Sequence, residues 1–88
     1  MIKIAEIYLF ISNLYGEAKR GKEAVEAAGQ ALAIAKGDEQ KQNARLSLAT
    51  AQQTSGDFKS AEMTLRGILA ESPSNSVAQN NLGYFLAD

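Results

Sequence analysis

The sequence has no cysteine and no histidine among its 88 residues. That removes disulfides, thiolate nucleophiles and imidazole bases, and it deprives a zinc site of its usual ligands. It also means that cysteine usage says nothing about compartment. Tryptophan is absent, and there are only three Phe, three Tyr and one Pro. Apolar residues still make up 45% of the chain, much of it alanine, so the core is thin and suits closely packed elements. A chain this short buries only ~60–65% of its unfolded surface. Charge of one sign is missing too. Nine basic and ten acidic residues give a formal net charge of −1, so no basic field exists to neutralise phosphates, and nucleic acid is not an expected partner. The one basic cluster, Lys19-Arg20-Lys22, sits where a helix end favours cations. No uninterrupted apolar run, Ile7 to Ile11 included, approaches the length of a signal-peptide core or a membrane span. The expectation is a soluble, cytoplasmic chain with no membrane partner.

What is present is a wealth of Ala, Leu, Glu, Lys and Gln without strand-like alternation, which points to an all-α fold. The punctuation predicts five helices, over about 2–19, 22–36, 39–54, 57–71 and 76–87. In the first, Ile4, Ile7, Tyr8, Ile11, Leu14, Tyr15 and Ala18 are read as the core face. Ile2, Ala5 and Leu9 form a second stripe almost opposite, with Phe10 between the two. The second helix buries Ala24, Val25, Ala28, Ala31, Leu32 and Ala35. Gly37 is a candidate left-handed residue and Asp38 a candidate N-cap for the third helix, which Glu39-Gln40-Lys41 should lengthen. Ala44, Leu48 and Ala51, then Ala61, Leu65 and Ile68, recur at helical spacing around the turn Ser55-Gly56-Asp57-Phe58. Ser72-Pro73-Ser74-Asn75 closes the fourth helix, and Ser74 or Asn75 caps the fifth, whose Ala78, Leu82 and Phe85 face inward.

Two short amphipathic helices joined by so tight a turn must lie antiparallel, and such a hairpin is stable only when others stack on it. From Gln42 to Asn75 the sequence resembles a tetratricopeptide repeat (TPR), whose period is about 34 residues. Leu48-Ala49 matches the large-then-small pair, Gly56-Asp57-Phe58 the turn, Ala61 the small crossing residue, Leu65 the bulky position after it and Pro73 the closing proline. Tyr8, Ile11, Ser12 and Tyr15 match the same first-helix pattern, and Leu82-Gly83 repeats its pair. Arg45 and Gln52 depart from the family's aromatics, and Ile68 from its alanine. Aligning Ala24 with Ala61 places Gly21 where the family has an aromatic, so the first turn is expected to be built differently from the central one. The resemblance implies a single domain over 1–88, a right-handed superhelix of antiparallel hairpins (an α-solenoid), with repeats at about 5–36 and 42–75 and a half repeat at 76–88.

Function follows by class. Catalysis is not expected: the closest acidic pairs, Glu23 with Glu26 and Asp38 with Glu39, sit near helix starts or on charged outer faces, and no metal or cofactor is implied. The resemblance implies a protein-protein interaction module that holds a peptide or helical segment in a concave groove. Carried over by position, that groove comprises Glu6, Leu9, Asn13, Asn43, Leu46, Thr50, Gln53, Val77, Asn80 and Tyr84. The lysines with which some family members clamp a C-terminal carboxylate are absent, and only Asn13 and Asn81 remain of that set. The alternative class is self-association as a homodimer through Ile2, Leu9 and Phe10 at one end, Tyr84, Phe85 and Leu86 at the other, or both.

Overall fold

The computed structural model describes residues 4–86, with side chains as far as Gly83. Five α-helices follow one another: α1 (Ile4–Glu17), α2 (Gly21–Ile34), α3 (Gly37–Thr54), α4 (Phe58–Glu71) and α5 (Ser76–Leu86). No strand occurs among the described residues. At 18 residues α3 is the longest, because Glu39-Gln40-Lys41 extends the helix and not the loop before it. Each helix packs on the next, and α1 also packs on α3. Cross-helix contacts give the directions. Gln42 meets Ser72, Arg45 meets Glu71 and Gln52 meets Thr64, so α3 and α4 run antiparallel. The start of α2 at Gly21 lies against Ser55, just past the end of α3, and these two are antiparallel as well.

The turns explain the spacing. After α3, Gly56 takes φ 87°; the Asp57 N–H donates to the Gln52 carbonyl at 2.9 Å and the Gly56 N–H to that of Gln53 at 3.0 Å. This is the paired closure of a Schellman motif, which satisfies carbonyls that the helix end leaves open. After α1 the same turn recurs 37 residues earlier. Lys19 takes φ 61°, the Arg20 N–H donates to the Tyr15 carbonyl at 2.8 Å and the Lys19 N–H to that of Gly16 at 3.0 Å. The expectation of a differently built first turn is therefore corrected: the turn is the same, with lysine holding the position that favours glycine. Gly21 has its own reason. A Cβ there would stand 2.5 Å from the Ser55 Cα and N, so the aromatic implied by the family pattern cannot be accommodated.

The start of α3 is also corrected. Gly37 is left-handed, at φ 82°, but Asp38 does not cap. Lys36 holds the N-cap position, and its N–H is taken up by the Gln40 Oε1 at 2.9 Å. At α5 the cap is Asn75, whose Oδ1 accepts the Ala78 N–H at 3.0 Å.

Burial repeats with the same 37-residue offset. Ser12, Ala24, Ala28 and Ala31 are buried, and so are Ala49, Ala61, Leu65 and Ile68. Small residues sit where backbones approach: the buried Ser12 hydroxyl donates to the Ala24 carbonyl at 2.9 Å. Ala49, Leu65, Ile68, Ala78 and Leu82 then form one core shared by α3, α4 and α5, with Leu46 and Leu69 packed against it. The large side chains of α1 are placed differently from the sequence reading. Ala5 and Ser12 are buried and Tyr8, Leu9, Ile11, Tyr15 and Gly16 half-buried, so Tyr8, Ile11 and Tyr15 keep a packed place, whereas Ile4, Ile7 and Leu14, read as core, are exposed along with Ala18. Contact at backbone distance with α2 admits the stripe with the small residues and turns part of the bulky one outward.

Candidate functional site

Ser12 meets Ala24 across the first turn, so α1 is antiparallel to α2 as α2 is to α3; α1 and α3 therefore run in the same direction, packed side by side, with a cleft between them. It holds about 330 Å³ and is lined by Ser12, Asn13, Gly16 and Glu17 of α1 and by Ser47, Thr50, Ala51 and Thr54 of α3. Local sequence makes it. Gly16 opens one wall by lacking a side chain, and the buried Ser12 and Ala51 keep the floor low. Ser47, Thr50 and Thr54 fall at i, i+3 and i+7, one face of a helix.

The polar chemistry of the cleft has a direction. The Thr50 hydroxyl donates to the Leu46 carbonyl and the Thr54 hydroxyl to the Thr50 carbonyl, each at 3.1 Å. With their protons committed to their own helix, both oxygens turn lone pairs outward as acceptors. Glu17 adds a carboxylate at one end, and the exposed Asn13 amide offers both a donor and an acceptor. The cleft therefore suits a ligand rich in N–H donors, which an extended polypeptide is.

Of the groove residues expected from sequence, Asn13 and Thr50 come together here. Leu9 and Gln53 are half-buried and Asn43 and Asn80 exposed, outside the cleft. Leu46 is occupied in packing on the α3–α4–α5 core. The Tyr84 side chain lies outside the described residues, as do those of Phe85 and Leu86 and the whole of Ile2. Phe10 is 64% exposed, while Leu9 belongs to the packed side of α1. Ser47, Thr54, Gly16 and Glu17 were not foreseen from sequence. The hydroxyl spacing at 47, 50 and 54 was the available signal.

No protein-family model, curated protein or solved structure matches the sequence.

The acidic pairs singled out from sequence have structural settings. Glu23 pairs with Arg20 at 2.8 Å, and Asp38 and Glu39 lie in the first turn of α3. Among the described residues no group of three or more acidic side chains is placed to hold a metal ion. No described helix is long and apolar enough to cross a membrane. One carboxyl is held below its ordinary range: the Ser60 hydroxyl and the Ser60 backbone N–H beside Asp57 favour its charged form.

Proposed function

We propose that the chain is a non-catalytic protein-binding module of the TPR kind: two and a half stacked hairpins in a right-handed superhelix, whose concave face holds an extended segment of a partner protein. Support for the architecture comes from three features. The two Schellman turns and the small crossing residues recur at one offset. The first helices of successive hairpins, α1 and α3, lie side by side. The family's departures at Arg45 and Gln52 are balanced across the hairpin by Glu71 and Thr64, polar contacts standing in for aromatic ones.

The observation that carries the functional reading is the α1–α3 cleft, with its outward acceptors on Thr50, Thr54 and Glu17. A segment lying along it would donate main-chain N–H groups to these oxygens and accept from Asn13, which is recognition by shape and backbone rather than by paired charge. The test is to pan a random-peptide library on the chain and measure the selected peptides by calorimetry on Asn13→Ala and Thr50→Lys. Asn13 and Thr50 are both exposed, so the fold should survive. The reading expects Thr50→Lys to weaken binding at least ~10-fold, about 1.4 kcal/mol. Peptides that bind both variants as tightly as the parent contradict it.

A further inference from the structure

α1 carries a second apolar face that the described part of the chain leaves largely open, with only Ile11 half-buried on it. Ile4, Ile7, Phe10 and Leu14 are 63%, 43%, 64% and 51% exposed. Ile4, Ile7, Ile11, Leu14 and Ala18 are spaced alternately three and four residues apart, which is the a and d pattern of a helix-to-helix seam. Glu6 and Glu17, the acidic residues of this helix, fall beside Phe10 and not within the seam.

We propose that this seam is the interface of a two-fold homodimer, in which α1 of one copy packs against α1 of another. The seam is self-complementary. Branched aliphatic side chains at alternating positions supply both knobs and holes, and no charge on the seam meets its like across a two-fold axis. The area also fits. Ile4, Ile7 and Leu14 on the seam, with Phe10 on its flank, leave roughly 450 Å² open on each copy, as large as the biggest apolar patches of soluble monomers. Two such faces with their flanks reach the ~1,000 Å² that separates a specific interface from incidental contact. The seam lies on the side of α1 away from Ser12 and the α1–α3 cleft. A dimer built on it leaves that cleft open, and it stands or falls separately from peptide binding.

Light scattering behind size exclusion on the full chain tests the proposal. The parent should show twice the 9.4 kDa chain mass at high micromolar concentration. Ile7→Glu with Leu14→Glu should halve that mass with the helical circular dichroism unchanged. The milder Leu14→Ser should raise the dimer dissociation constant at least tenfold. Met63→Glu, at an exposed apolar residue of α4, should leave the dimer intact. A parent that stays monomeric, a dimer that persists in both seam variants, or a mass that climbs without limit with concentration overturns it.

Discussion

Two kinds of glycine coexist in this chain, and single substitutions tell them apart. At Gly21 a Cβ would fall 2.5 Å from the Ser55 backbone, and backbone cannot step aside as a flexible side chain can. Gly21→Ala should therefore destabilise by ~1–3 kcal/mol, as overpacking does, even though alanine is the better helix former. At Gly67, inside α4, nothing lies within 4 Å of the added methyl, and Gly67→Ala should stabilise by about 0.5–1 kcal/mol. Thermal denaturation of the two variants should move the midpoint in opposite directions. Lys19 is the reverse case, a residue with a Cβ in the left-handed conformation that its counterpart Gly56 adopts freely. Lys19→Gly should stabilise by about 1 kcal/mol. An unchanged or lower midpoint in urea would show that the lysine side chain compensates, for instance through its stem.

At the scale of the helix, the sequence was most legible where chemistry punctuates it. Gly56, Pro73 and the Asn75 cap mark ends within a residue or two, because each either breaks the helix or satisfies its open N–H groups. It was least legible on α1, which offers two apolar stripes. Periodicity favours the bulkier one. Packing turned the helix part of the way toward the other, keeping Tyr8, Ile11 and Tyr15 half-buried and exposing Ile4, Ile7 and Leu14, because Ser12 must come within 2.9 Å of the Ala24 carbonyl. The first turn is hidden for a similar reason: its left-handed residue is a lysine, so nothing in the local composition announces it. In the cleft, Asn13 and Thr50 were legible by position, but their neighbours depend on which helices lie side by side, and local spacing does not encode that.

The cap of α4 gives the fold a specific acid response. The Asp57 Oδ1 accepts the Ser60 N–H at 3.2 Å, and its pKa is lowered from the ordinary 3.8. A carboxyl whose folded pKa lies below its unfolded value contributes stability that is complete above the unfolded value and is lost as pH falls through the folded one. The melting temperature should therefore decline on acidification below about pH 4. Asp57→Asn, which keeps an acceptor at the cap but does not titrate, should flatten that decline. An acid limb unaltered by Asp57→Asn would assign it to other carboxylates.

For the whole molecule, the Cα dimensions of 41 × 28 × 16 Å describe a slab about two helix layers thick, given interaxial distances of ~8–10 Å. Such a shape has two broad faces and little interior. The largest fully buried side chains are Leu65 and Ile68, and the rest of the fully buried apolar core is alanine. Surface is what a thin slab offers in quantity, and here its parts differ in chemistry: a polar, acceptor-lined cleft between α1 and α3, and an apolar seam on the far side of α1. A partner segment is proposed for the first and a second copy of the chain for the second. The measurement that tests the first assignment most directly is an amide chemical-shift map of the isotope-labelled chain on titration with a library-selected peptide. The account predicts that the largest shifts cluster at Asn13, Gly16, Glu17, Ser47, Thr50 and Thr54, with α4 and the Ile4–Leu14 seam unmoved. Shifts concentrated on the seam or on α4, with the cleft silent, would contradict it.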